Sequence, residues 1–342
     1  MLNGPGRVGL EFVRLLSESA HSISERTGCA PVLRAVQSRK GILFSHRSLT
    51  VEEIRDWVRN GTWGETGSRV LPAADYASVL EMARSDGPGV VVEATPTNLE
   101  TGEPGLSNLR TALDLRYSAV SLAKGPLVVA FGELSELARV RGAQLRYSGA
   151  VAAALPTVDT AVYAMAGAGI REIEGVLNGT SNYILNGMAA GKSYSEALAQ
   201  AQSMGVAEAN PRLDVEGFDS AAKLLIIANT VWDMRLRLQD VARQGITELD
   251  PEFVQSSAAK GEPVRLVARA ILAQGRAELS VKPEPVPPGH PFANLPGTAK
   301  AVRFCSTNMG EVVVSGGASD VTGAAASALK DLIHVLEGRG IR

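Results

Sequence analysis

The apolar positions of this chain fall into two alternating rhythms. After the opening MLNGPGRVG, the segment LEFVRLLSESAHSI sets Leu10, Phe12, Val13, Leu16 and Ile23 at helical spacing. PVLRAVQS at 31–38 then reads as a strand. SLTVEEIRDWV and AADYASVLEMARSDG, within 48–86, both have the helical pattern. GVVVEATPTN at 89–98 is a short apolar run ending in a polar turn, the pattern of a strand buried on both faces. The helix NLRTALDLRYSA, the strand AVSLAKGPLV at 119–128, the helix GELSELARVRGAQ and the strand LRYSGAV follow in order. Strands alternating with helices predict an α/β fold around a mostly parallel sheet.

The rhythm changes after about residue 170. REIEGVLNG reads as a strand running into a glycine turn. TSNYILNGMAAG is a helix whose entry Thr180 and Ser181 can cap. SYSEALAQAQSMG is a second helix, with Ser193 or Ser195 as cap and Gly205 as stop. A long helix runs from Phe218 through Trp232. Residues 233–300 are mixed, with a strand AELSVKPEPV and a proline-rich loop PVPPGHPFANLPG. The last stretch, GEVVVSGGASDVTGAAASALKDLIHVLEG, reads as strand, glycine turn and helix, with Thr322 as its cap. The strands of this half predict an α+β second domain on an open sheet.

Candidate chemistry starts at the first turn. Gly4, Gly6 and Gly9 fit G-x-G-x-x-G ahead of a helix, so Gly4, Gly6, Arg7, Val8 and Gly9 are candidates to meet a pyrophosphate at that helix N-terminus. Only Met1 to Asn3 precede the glycines, whereas such a strand usually has about five residues. The expectation is a start placed too late. The alternative is a chain lacking most of its central strand, with unpaired neighbouring edges and a poorly held phosphate loop. Where an NAD-specific protein carries an acid, this chain has Ser38, Arg39 and Lys40. That cationic pair suits a 2′-phosphate, hence NADP, with NAD as the other reading. Thr95, Pro96 and Thr97 follow a strand end, where ligands of open sheets bind.

The densest charge lies at Glu208 to Lys223, EANPRLDVEGFDSAAK, immediately before the apolar run LLIIA. Charges beside a core segment are rare unless paired or used. Asp219 and Lys223 are i and i+4 on one helix face. They form either a solvated pair of little energetic weight or an ammonium tuned by apolar surroundings to exchange a proton with an alkoxide.

Bulk composition narrows the classes. The chain has 342 residues, 45% apolar and 20% charged, enough for two domains. A net charge of −2 does not indicate a nucleic-acid footprint. Cys29 and Cys305 give no disulfide framework and suit a reducing compartment. His21, His46, His290 and His334 lack metal-ligand spacing. There is neither a membrane-length apolar run nor a signal-peptide layout, so a cytoplasmic enzyme is expected.

NGTSNYIL at 178–185 followed by GVAEANPRLDVEGFDSAAKL at 205–224 resembles the signature of homoserine dehydrogenases. The resemblance covers nearly the whole chain and is strongest at 176–230. It implies reversible NAD(P)H-dependent reduction of L-aspartate 4-semialdehyde to L-homoserine, in threonine and methionine biosynthesis. It gives Glu208 the substrate amino group and places Asp214, Gly205, Thr180 and Tyr183 around the substrate. Asp219 and Lys223 become catalytic, with Lys223 as proton donor and acceptor. Lys124 would contact both cofactor and substrate, although Ala123 stands where the family has Asn. The run SGAVAAALPTVDTAVYAMAG at 148–167 resembles a domain-crossing segment. There the carbonyls of Val151, Ala153 and Leu155 would hold a monovalent cation such as Na+, but Ser148 replaces the usual leading acid. Gly316 and Gly317 match the segment that lies near the nicotinamide.

The resemblance also implies a Rossmann-type nucleotide domain of residues 1–147 with 300–342. A catalytic and dimerisation domain, residues 148–299, would build a homodimer. No appended regulatory module is expected after Arg342. Two other readings remain: a different two-domain oxidoreductase acting on a small amino or hydroxy acid, and a non-catalytic dinucleotide-binding relic.

Overall fold

The computed structural model describes residues 1–61, 68–84 and 87–341. Ser85 and Asp86, at the end of the second expected helix of 48–86, lie outside the described residues. The chain forms two compact units, Met1–Ala154 with Asp320–Arg342, and Leu155–Ser319.

The first unit is built on a seven-stranded sheet. Its strands are β1 (Leu2–Asn3), β2 (Ala35–Ser38), β3 (Gly41–Ser45), β4 (Ser68–Leu71), β5 (Val90–Glu93), β6 (Ser118–Ser121) and β7 (Leu145–Arg146), in the spatial order β4-β3-β2-β1-β5-β6-β7. The pairs from β2 through β1, β5 and β6 to β7 are parallel, as the alternating pattern predicts. β3 and β4 extend the sheet antiparallel and are not foreseen from the sequence. β1 is short but central. Leu2 pairs with Val36 on one side and Val92 on the other, and Gly4 N–H continues to Gln37 O at 3.0 Å. Its neighbours are therefore not left with open edges at this point.

Helices cover both faces. On one, Phe12, Val13, Leu16 and Ile23 of the Arg7–Thr27 helix pack with Ile54 and Trp57 and with Ala325, Ala328 and Leu332 of the Val321–Leu336 helix. On the other, Tyr76, Val79, Leu80, Ala112 and Tyr117 cover Ala35, Ile42, Phe44 and Val91. The expected strand at 119–128 stops at Ser121, and a helix, Gly125–Arg141, starts with Pro126 in its first turn. The expected strand LRYSGAV is likewise cut to two residues. Asp331 accepts Ser148 N–H at 2.8 Å, and a short helix, Ser148–Ala152, follows.

The second unit carries a six-stranded sheet. Its strands are β8 (Ile170–Val176), β9 (Val241–Arg243), β10 (Val264–Ala273), β11 (Arg276–Pro285), β12 (Ala301–Ser306) and β13 (Glu311–Ser315), in the order β13-β12-β8-β10-β11-β9. All pairs are antiparallel except β11 with β9. Because β12 pairs with β8, β12 and β13 belong here. The chain accordingly rejoins the first unit at Asp320 rather than at about residue 300. The Phe218–Trp232 helix is apolar nearly all round, with Ala221, Ala222 and Leu224 to Ala228 buried, which makes it the core of this unit.

Arg146 and Asp331 are both fully buried, with Nε and Oδ1 3.1 Å apart. Asp331→Ala should therefore lower stability by about 3–5 kcal/mol, the cost of a buried guanidinium without its counter-charge. Urea unfolding measures this, and a loss below about 1 kcal/mol would show that the pair is not structural.

Candidate active site

The turn that follows β1 in the first sheet is shaped by two glycines. Gly4 has φ +86, and a Cβ there would lie 2.6 Å from the Ala94 carbonyl and 2.8 Å from Thr95 N. A Cβ on Gly9 would lie 2.2 Å from Gly4 O. The loop thus folds onto the helix that follows, as a backbone cradle for phosphate requires. Gly6 caps that helix without a side-chain bond, and the space above it is open. Arg7 is exposed and Val8 half-buried beside it. These residues fit a dinucleotide pyrophosphate.

Beneath the loop lies a buried carboxyl that the sequence reading missed. Glu93 accepts from Asn3 Nδ2 at 3.0 Å, Asn108 Nδ2 at 2.9 Å and Thr95 N–H at 2.9 Å. Burial pushes its pKa above the usual carboxylate range. It thereby fixes Thr95 against the glycine loop. Lys124 is half-buried at the start of the Gly125–Arg141 helix, its N–H on Thr97 Oγ1 at 3.2 Å. Of the cationic pair after β2, Arg39 is exposed. Lys40 instead donates to Arg59 O at 3.1 Å and to Val58 O, closing the Val51–Asn60 helix.

The second unit brings Asp214, Asp219 and Lys223 together. A short helix, Arg212–Val215, carries Asp214. Gly217, at φ +79, turns the chain into the Phe218–Trp232 helix, which carries the other two. Lys223 Nζ lies 2.6 Å from Asp219 Oδ2 and donates to Leu177 O at 2.8 Å. The side chains of the pair are only 13% and 11% exposed, so this is no solvated surface bridge. Asn178 joins the acids: its Nδ2 donates to Asp214 Oδ1 at 2.6 Å and to Asp219 Oδ2 at 2.9 Å.

Asn178 is the largest omission of the sequence reading. Asn178, rather than Thr180 or Ser181, caps the Gly179–Ala189 helix, its Oδ1 accepting Ser181 N–H at 2.8 Å. The signal was present, because Asn at the end of a strand and before Gly is a strong cap. Thr180 Oγ1 instead donates to Val206 O at 3.0 Å and ties down the loop containing Gly205. Tyr183 OH reaches Met204 Sδ at 2.9 Å. Glu208 is exposed on that loop. Gly316, at φ +102, is exposed after β13, its N–H on Lys300 O at 3.1 Å. At the other cap expected from the sequence, Asp320 accepts Gly323 N–H at 2.7 Å, and Thr322 binds Glu11.

Lys300 is a third omission. It is 3% exposed, and its pKa is pulled down to about 8 by burial first and then by the charge of Lys223, against the opposing pull of Asp219. A lone lysine just before an apolar strand, AVRF, was the available sign.

Ser148 supplies no negative charge, and its hydroxyl, which donates to Asp331 Oδ1 at 2.9 Å, accepts from the Lys330 ammonium at 2.8 Å. Of the carbonyls of Val151, Ala153 and Leu155, that of Leu155 accepts Thr157 N–H at 2.8 Å. Among the described residues no helix is long and apolar enough to cross a membrane.

Comparisons with known proteins bear on what this cluster serves. The family model for homoserine dehydrogenase matches residues 156–333, the segment that carries all of Asn178, Asp214, Asp219 and Lys223. The chain is 36% identical to an NAD(+)-dependent homoserine dehydrogenase of Pseudomonas canavaninivorans over 78% of its length and 76% of that protein's. It is 34% identical to the homoserine dehydrogenase of Sulfurisphaera tokodaii over 97% of both chains. A putative homoserine dehydrogenase of Archaeoglobus fulgidus, known from its crystal structure, superposes with a TM-score of 0.83 at 33% identity, covering 98% of each chain. Neither a different two-domain oxidoreductase nor a non-catalytic dinucleotide binder is favoured by these similarities. With its glycine cradle, its buried acid–ammonium pair and this likeness along its whole length, the chain belongs to the homoserine dehydrogenase family.

Proposed function

We propose that Lys223, set by Asp219 and Leu177, is the proton donor and acceptor in the interconversion of L-aspartate 4-semialdehyde and L-homoserine. The observation that carries this reading is the nearly buried Lys223–Asp219 pair at 2.6 Å. The nicotinamide supplies or takes the hydride. In the reduction, the semialdehyde carbonyl gains charge on oxygen. The Lys223 ammonium stabilises that charge and passes a proton to it. Asn178 holds Asp214 and Asp219 in place, so the acids do not drift apart when the substrate enters. In this reading Glu208 anchors the substrate ammonium from its exposed loop, with Gly205, Thr180 and Tyr183 shaping that wall. The same reading keeps Lys124 as a contact of substrate and cofactor and Gly316 as a contact of the cofactor.

The dinucleotide is read as NADPH before NADH. Support comes from exposed Arg39, since Lys40 is committed to the end of the Val51–Asn60 helix. A homodimer built on the second sheet belongs to the same reading, supported by Ile271 and Val313, exposed on one face of that sheet. A cytoplasmic setting fits the free thiols of Cys29 and Cys305.

Lys223→Ala should cut turnover by about two to four powers of ten, the scale of a lost positioned acid. Steady-state rates within a few-fold of wild type would exclude the role. Glu208→Gln should raise KM for the semialdehyde, roughly tenfold, with kcat little changed; an unaltered KM would remove the anchor. Arg39→Ala should raise KM for NADPH roughly tenfold more than for NADH. An equal change for both cofactors would contradict the 2′-phosphate contact.

A further inference from the structure

The lysine buried beside the catalytic pair has no part in the mechanism above, and the sheet register fixes where it stands. Ala301, the first residue of β12, pairs with Val176 of β8. One residue further along this antiparallel pair, Lys300 falls opposite Leu177, the residue whose carbonyl holds Lys223. The two segments touch beyond that point. A Cβ on Gly179 would lie 2.9 Å from Thr298 O, and Asn182 Nδ2 donates to Ala299 O at 3.1 Å. Asn182 also holds Leu295 O and Gly297 O, at 3.0 and 3.1 Å, so the approach to Lys300 is fixed on both sides. Among the described residues, Lys223 and Asp219, both on the Phe218–Trp232 helix, are charged groups that act on Lys300. β8 and the Gly179–Ala189 helix meet this segment with neutral side chains and main chain at Val176, Leu177, Gly179 and Asn182.

Placing a second ammonium beside a first is unfavourable unless the site needs the charge. The proton balance shows why it does. When Lys223 gives its proton to the alkoxide oxygen, the lysine becomes a neutral amine. Asp219 is then a buried carboxylate whose counter-ion has just lost its charge. Asn178 Nδ2 also donates to it, at 2.9 Å, but brings no charge.

We propose that Lys300 is a positioning residue of the proton-transfer site, a standing counter-charge that keeps Asp219 compensated while Lys223 is neutral. This rests on Lys223 being the proton donor. One proton moves from Lys223 to oxygen, none moves from Lys300, and no electron count changes. Without Lys300, Asp219 holds the Lys223 proton more tightly and transfer slows. Substrate affinity changes little, since Lys300 acts through Asp219. The charge is present below a pKa of about 8 and is lost above it, so the same dependence should mark turnover.

The test is the pH profile of semialdehyde reduction by the full chain, followed through NADPH absorbance, for wild type, Lys300→Arg, Lys300→Met and Lys223→Ala. Wild-type kcat should fall above about pH 8, while Lys300→Arg, whose guanidinium stays charged, should keep its turnover to about pH 9.5. Lys300→Met should be roughly ten- to a hundredfold slower at pH 7.5, with KM within about threefold. Its profile should lack the limb near pH 8. The proposal is overturned if Lys300→Met turns over at the wild-type rate, or if the limb is the same in all three chains. It is also overturned if KM alone rises, which would make Lys300 a substrate anchor. Should Lys300→Arg fail to fold, the Lys300→Met profile still decides. If Lys223→Ala retains turnover, the failure lies in the underlying reading, because the donor itself is then wrong.

Discussion

A lysine ammonium suspended between a carboxylate and a main-chain carbonyl is the constraint around which the second unit is arranged. Lys223 and Asp219 come from one helix, but Leu177 comes from the end of β8. The bond to Leu177 O therefore ties the helix to the sheet at the point where strand becomes helix. Asn178 extends the tie. One amide caps the Gly179–Ala189 helix and gathers both acids, so the cap and the site are a single residue. Gly217 makes the geometry reachable. Its left-handed backbone turns the short Arg212–Val215 helix into the long one, setting Asp214 and Asp219 to converge on the same side chain.

The same physical argument separates this pair from an ordinary i, i+4 bridge. Spacing alone allows a solvated contact of little consequence. The run LLIIA after Lys223 is what removes the solvent, since a helix apolar on nearly every side has to be buried. Charges carried along with it are then held by fixed partners rather than by water, the condition under which a proton can be placed instead of shared with bulk.

Much of the fold was legible because it rests on local pattern. The helices Arg7–Thr27, Val51–Asn60 and Phe218–Trp232 follow the apolar spacing, and the Ser193 capping box was signalled by Glu196 three residues on. The parallel order of the first sheet followed from alternation. What was not legible depends on partners distant in sequence. β3 and β4 extend the sheet edge antiparallel, and the apolar run after Lys40 that forms β3 lacked a recognisable partner. β12 looked like a return to the first unit, and only its pairing with β8 shows otherwise. Ser148 read as an isolated loss of an acid; the structure shows that Lys330 and Asp331 have taken over its surroundings. Lys300 carried no motif at all, because its meaning lies in the register that brings it opposite Leu177.

The coupling between Asp219 and Lys223 is the point on which the account stands, and a double-mutant cycle on turnover measures it most directly. Asp219→Asn, Lys223→Met and the double variant would be compared with wild type under saturating substrate. If the carboxylate acts only by holding the ammonium, the double variant should be no slower than Lys223→Met alone, within about threefold. Effects that multiply, leaving the double variant slower by the product of the two single losses, would mean that the residues work independently and that the pair is not the proton-transfer station.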